Sequence, residues 1–277
     1  MTRLLFFSDL HLEGDGTKEK GLEEIVSGAK DKDVDKIAFG GDAVGSSPIM
    51  VANAFEQSHG IDSAGVYKNL SRGHYKTMEK ILNGFDGEVH GIHGNHDPQG
   101  MHETIRSMDF TPNDEIGKVY LPNAELGNFS KTWEELEIGY KEDDYKHALE
   151  KRPPIMLWHQ GPHDQQYGQS QEGQEMKFEC PEEFKKLGEE VSINLYGHNH
   201  GSYVSYDAES GRFDINMTTQ DGFYAIVEYD ENQKPLACEV YRNKTISENP
   251  SDPKAVAQKM YENIAEKMTP KYSEDAA

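Results

Sequence analysis

The chain has 277 residues, enough for one large domain with a substantial core. It carries 28 Lys and Arg against 50 Asp and Glu, a formal charge of -22. That balance excludes broad non-specific nucleic-acid binding, which works by neutralising phosphates, and adhesion to an anionic membrane. No run approaches the roughly 20 apolar residues of a membrane span.

Arg3–Ser8 is a short apolar run, read as a buried strand. Leu4 to Phe7 is too short for the apolar core of a signal peptide, about 7 to 15 residues. With only Cys180 and Cys238, no disulfide framework is expected, and the reading is two reduced thiols in a cytoplasmic protein. Residues 21–33 place Leu22, Ile25, Val26 and Ala29 at helical spacing. Lys36–Phe39 is again strand-like and ends in Gly40-Gly41-Asp42. Ala64–Phe85 reads as a helix, with a break near Gly73, and Glu88–His93 as a strand running into Gly94-Asn95-His96-Asp97. Strand, helix, strand, helix, strand predicts an α/β sheet with crossovers.

From Pro98 to Pro153 the pattern is weak and turn-rich, and it is expected to be an insertion or cap outside the central sheet. Order returns at Pro154–Trp158, a strand ending in His159. An amphipathic helix follows at 181–190, then Ser192–Tyr196, a strand ending in Gly197-His198-Asn199-His200. Ser202–Tyr206, Arg212–Thr219, Phe223–Tyr229 and Leu236–Arg242 alternate with turns and read as an antiparallel meander forming a second sheet. Lys254–Met268 places Val256, Met260, Ile264 and Met268 four apart, a helix expected to pack on the body of a single domain spanning 1–277.

Five predicted strands therefore end in metal-binding residue types: Asp9 and His11, Asp42, Asn95 with His96, His159, then His198 and His200. Sites in open α/β sheets form outside the carboxyl ends of strands, so these residues should converge. Asp-x-His and Gly-Asp are each expected about once or twice by chance in this composition. Gly-Asn-His-Asp is expected only about 0.004 times and Gly-His-x-His about 0.05 times. Any one member has an ordinary structural explanation; all of them together do not.

The residue types fit a pair of ions. Asp9 and His11, two apart on an extended segment, would point to one face, and so would His198 and His200. One carboxylate, such as Asp42, can bridge two cations roughly 3.5–4 Å apart. Imidazole with carboxylate suits two divalent ions, Mn first, with Fe, Zn or Ni as alternatives. Two such cations, less Asp9, Asp42 and a bridging hydroxide, leave a local charge of about +1. That favours an anionic group such as phosphate, and a two-metal site can lower the pKa of the water that attacks it.

The blocks FSDLH, GGD, GNHD, the His159 strand end and GHNH resemble the signature of the calcineurin-like metallophosphoesterases. The resemblance spans residues 9 to 200 and implies a four-layer α/β/β/α sandwich of two mixed sheets flanked by helices. It assigns Asp9, His11, Asp42 and His200 to one metal, and Asp42, Asn95, His159 and His198 to the other. It makes His96 the general acid for the leaving oxygen, with Asp97 orienting it through a hydrogen bond. The implied substrate is a small phosphorylated or nucleotide ester, cleaved as a phosphodiesterase or phosphatase.

Branch marks narrow this further. Ala43-Val44-Gly45-Ser46 and GNHD stand where phosphoprotein phosphatases resemble GDxVDRG and GNHE. His96 stands where lipid-A pathway pyrophosphatases carry Arg, and scaffold members that lost activity usually lack that His. Repair nucleases share GNHD, so a nuclease on DNA or RNA ends is one alternative and a non-catalytic metal-bound scaffold another. Substrate choice is expected in residues 98–153 and 160–179, where His102, His163, Tyr167 and the stretch 165–174 are candidates to line the pocket.

Overall fold

The structure is a computed structural model that describes residues 1–94, 96–98, 103–119, 142–161, 166–169, 175–178 and 182–268. Two five-stranded sheets lie face to face. The first has the order β12-β11-β1-β2-β3, from β1 (Thr2–Phe7), β2 (Lys36–Phe39), β3 (Glu88–Gly91), β11 (Phe223–Tyr229) and β12 (Pro235–Arg242). The second has the order β4-β5-β8-β10-β9, from β4 (Ile116–Val119), β5 (Ile155–Gln160), β8 (Ile193–Gly197), β9 (Tyr203–Asp207) and β10 (Arg212–Asn216). A small hairpin, β6 (Gln166–Gln169) with β7 (Glu175–Phe178), stands apart. Both sheets are mixed: β1, β2 and β3 run parallel with β11 antiparallel to β1, and β4, β5, β8 and β10 run parallel with β9 antiparallel.

Alternation along the strands builds the layers. On β1, Leu5 and Phe7 face α1 (Thr17–Lys30) and α3 (Ser63–Leu82), joining Leu22, Ile25, Tyr75 and Met78. Leu4 and Phe6 face the other way, into the core between the sheets, against Leu157, Leu195 and Ile215. The outer face of the second sheet, Met156, Trp158 and Tyr196, is covered by Ala148 of α4 (Glu142–Lys151) and Leu187 of α5 (Glu182–Glu190). Three apolar interfaces thus separate four layers, the expected sandwich. Phe6 is fully buried at the middle interface. Phe6→Ala should destabilise the metal-free protein by about 3–5 kcal/mol in urea unfolding; a loss below about 1 kcal/mol would mean that the two sheets do not share this core.

The structure departs from the sequence reading in four places. The strands after His200 do not form one meander. β9 and β10 complete the second sheet, with β10 parallel to β8, while β11 and β12 return to the first sheet. The reason lies in β11, whose residues Tyr224–Val227 are buried on both faces and fit only beside a central strand. Second, the weak stretch 98–153 is not wholly outside the sheets, because β4 forms an edge of the second sheet against β5. Third, α3 runs unbroken past Gly73, where an added Cβ would meet nothing.

Fourth, a helix was missed: α2 (Ser46–His59). It packs against α3 and α6 (Pro253–Met268), and the buried stripe that does so starts with Ser47 and Pro48, which leaves too short an apolar period to read. α6 lies on the domain body as expected, with Ala257, Met260 and Ile264 against Val51 and Phe55 of α2. Among the described residues, no helix is long and apolar enough to cross a membrane. Cys238 is a free thiol, while Cys180 lies outside the described residues.

Candidate metal centre

The carboxyl ends of β1, β2, β5 and β8 meet at one end of the sandwich. Backbone hydrogen bonds zip the loop after β1 to the loop after β2. Asp9 N–H donates to Gly41 O at 2.9 Å, His11 N–H to Asp42 O at 3.0 Å and Leu12 N–H to Ala43 O at 2.7 Å. From the other side, the turn Thr219–Asp221 is fixed by Thr219 N–H to Ser8 O and Gln220 N–H to Asp9 O. Asp9 is further held through its carboxylate, whose oxygens accept the His198 N–H at 2.9 and 2.8 Å.

The expected extended geometry of Asp-x-His and His-x-His is not what brings these residues together. Asp9, His11, Asp42, His198 and His200 all have φ between 48° and 67°, in the left-handed region. Non-glycine residues there cost about 1–2 kcal/mol each, and such strain collects at functional sites. The chain kinks at each of these residues, so each side chain turns inward over the strand ends. Glycine is needed beside them for a different reason. A Cβ on Gly94 would collide with Asp42 and His159, and one on Gly197 with Asp9 and Ser8.

The convergence itself is as expected. Among the described residues, three sets of side chains place one ligand atom each within 4.8 Å of one another: Asp9, His11 and His200; His11, Asp42 and His96; Asp42, His159 and His198. His11 Nε2 lies 3.2 Å from His200 Nε2, and His159 Nε2 lies 3.2 Å from His198 Nδ1. Two nitrogens each about 2.0–2.1 Å from a shared ion would lie about 2.9–3.4 Å apart, so both pairs fit one ion apiece. Asp42 Oδ2 stands between the pairs, 3.8 Å from His11 Nε2 and 3.4 Å from His159 Nε2. Its other oxygen, Oδ1, accepts the His96 N–H at 2.8 Å. His159, fully buried on β5, is oriented through Nδ1, 2.7 Å from Gly40 O, leaving Nε2 toward Asp42. Asn95 lies outside the described residues, as do His102, His163, the side chain of Tyr167 and residues 170–174.

Burial strains the ionisation of this cluster. It pushes the Asp9 carboxyl up to about 7 and both His11 and His198 down to about 3. Burial also opposes charge on His159 and Asp42, but their mutual attraction outweighs it, lifting His159 to about 9 and holding Asp42 well below the carboxylate range. Neutral imidazoles and buried carboxylates packed this closely are a donor set that divalent cations satisfy.

The same shifts link stability to pH in both directions. His11, His198, His200, His74 and His90 are all depressed by burial, so below pH 6.5 the unfolded chain binds protons that the folded chain refuses. Asp9 and Asp97, raised to about 7, Glu19, also raised, and His159, raised to about 9, act in the opposite sense. The contribution of His159 is fully present below pH 6.5 and is lost as pH rises through about 9. The fall in metal-free Tm from pH 7.5 to 9 should therefore be larger in wild type than in His159→Gln; an equal change in both would refute the raised His159.

Asp97 departs from its expected part. It is buried, and its carboxylate accepts N–H groups of Asp42 at 2.8 Å, Ala43 at 2.9 Å and Gly94 at 2.8 Å, with Tyr75 Oη at 3.3 Å. Among the described residues no hydrogen bond joins it to the His96 ring, whose buried Nδ1 has no partner. Those backbone donors occupy both oxygens, so Asp97 staples the GNHD loop to the Asp42 loop and does not orient the imidazole. The His96 ring instead stands edge-on to His11, with centroids 4.9 Å apart.

Sequence reading also missed the supports behind the candidate ligands. Tyr67 of α3 donates to the His96 carbonyl. Glu13, buried, accepts from Ser46 N–H, Ser47 N–H and Ser47 Oγ–H, fixing the start of α2 after the Asp42 loop. Lys18, also buried, donates to the His11 carbonyl at 2.7 Å. A tyrosine on a helix remote from the loop it holds, or a glutamate far in sequence from the helix it caps, leaves no motif; only the fold reveals them.

The profile of the calcineurin-like phosphoesterases matches residues 2–202, and the chain belongs to that family. It is a dinuclear metal-dependent phosphoesterase, a hydrolase of phosphoester bonds. Among curated proteins, none matches it significantly. Its fold is similar to that of a dimetal phosphatase from Danio rerio, at 9% identity and a TM-score of 0.53, covering 87% of this chain and 99% of that one. A protein from Thermus thermophilus shares 12% identity with a TM-score of 0.49, covering 87% of this chain and 98% of that one.

Proposed function

We propose that the protein hydrolyses a small phosphorylated or nucleotide ester, as a phosphodiesterase or phosphatase, in a cytoplasmic setting. Asp9, His11, Asp42 and His200 hold one divalent ion, and Asp42, Asn95, His159 and His198 hold the other, with Mn the first choice. The observation that carries this is Asp42 Oδ2 standing between two imidazole pairs, each at ion-sharing distance. When bound, such a pair of ions polarises the phosphoryl oxygens and lowers the pKa of the attacking water.

The chain's own residues supply the rest. Asp42 fixes His96 through its backbone, and Tyr67 fixes the same residue from α3. The His96 imidazole, half-buried at the edge of the cluster, gives a proton to the leaving oxygen. Asp97 keeps the two ligand-bearing loops together.

Metal analysis of the purified protein, paired with hydrolysis of bis(p-nitrophenyl) phosphate and p-nitrophenyl phosphate with and without Mn, tests this. Two ions per chain and Mn-dependent turnover are expected, and the preferred ester separates diesterase from monoesterase. Absence of bound metal would overturn the ligand assignment. Two ions with cleavage of a labelled oligonucleotide and neither small ester would overturn the small-substrate reading in favour of a nuclease.

A further inference from the structure

Lys18 is an anomaly of the fold. It sits in the first turn of α1, where the helix dipole disfavours a cation, and it is only 6% exposed. A buried ammonium is stabilised only by partners, and this one has two kinds. Its Nζ donates to the His11 carbonyl at 2.7 Å. Its charge is offset by Glu13, Asp15, Glu19 and Asp221 around it.

His11 is itself held against its backbone preference, at φ 48°. Its N–H is tied to Asp42 O, and its carbonyl is tied to Lys18. With both peptide groups anchored, the left-handed turn that aims the imidazole at Asp9 and His200 cannot relax.

We infer that Lys18 is a positioning residue for the metal centre formed by Asp9, His11 and His200, locking the backbone of His11 from beneath. This rests on the assignment of His11 as a ligand. The effect is local: Asp42, which meets the His11 N–H through its carbonyl, is held separately by Asp97, and His159 by Gly40 O, so the centre of Asp42, His159 and His198 keeps its own supports. A purely structural lysine would instead weaken the whole domain and both centres together.

The test is Mn(II) equilibrium dialysis of wild type, Lys18→Met and Lys18→Arg, read by metal content and low-temperature electron paramagnetic resonance. Wild type is expected to take up two ions per chain with a spin-coupled spectrum; if it does not, the ligand assignment fails and not the role of Lys18. Lys18→Met is expected to weaken one of the two sites by about 10–100-fold, the usual consequence of losing a group that supports a ligand. At intermediate Mn it should hold one ion with an uncoupled spectrum, while its metal-free Tm stays near wild type. Lys18→Arg, which keeps charge and donors, should restore the second ion. Two ions at wild-type affinity in Lys18→Met would overturn the inference. So would parallel loss of both ions, a collapsed Tm, or failure of the arginine to rescue.

Discussion

Asp42→Asn is expected to cost both metal ions, not one. Replacing a charged oxygen by an amide keeps the shape of the side chain, and it leaves an acceptor for the His96 N–H, now met at 2.8 Å by Oδ1. What it removes is the charge on the oxygen that stands 3.8 Å from His11 Nε2 and 3.4 Å from His159 Nε2. Metal content should fall from two ions to below one per chain at micromolar Mn. Turnover should fall on the order of 10³-fold or more, about 4 kcal/mol in the barrier. Loss of a single ion with the other intact would show that Asp42 serves one centre only.

His96→Ala separates catalysis from metal binding. The ring lies beside the cluster, against His11, and its removal takes away the proposed proton donor while leaving Asp9, His11, His200, Asp42, His159 and His198 in place. Two ions should remain, and turnover of an alkyl phosphoester should drop by about 10²–10⁴-fold, the usual share of general acid catalysis. The drop should be smaller for a p-nitrophenyl ester, whose leaving oxygen needs the proton less. Equal losses on both esters would rule out proton donation; loss of metal would place His96 among the ligands.

Much of this centre was legible before any fold was known, because ligand chemistry restricts residue types. A divalent ion in such a site needs His and Asp, and apolar runs that each end in them are visible in one dimension. What the residues do beyond their type was less visible. Asp9 with His11, and His198 with His200, were expected to align on extended backbone; they converge through left-handed kinks, which spacing does not encode. Asp97 carries the right residue type for orienting an imidazole, yet its oxygens go to backbone donors on a loop some fifty residues earlier. The four strands after His200 look alike in pattern, and their division between two sheets is decided by which strand is buried on both faces. α2 was hidden because its buried stripe begins with Ser47 and Pro48 while Met50 faces solvent, so burial and apolarity do not coincide along it.

The pairing of β1 with β11 has a consequence for the chain as it is made. β1 leaves the ribosome long before Phe223–Tyr229, the segment that covers one of its two edges. At about 5–20 residues per second, that partner emerges roughly 10–45 s later. Throughout that interval Leu4-Leu5-Phe6-Phe7 is an apolar segment whose partner on one edge has not yet been made, a feature that invites pairing with other chains. Closure of that edge, late in synthesis, is the same event that brings Gln220 onto Asp9 and so completes the floor of the metal centre.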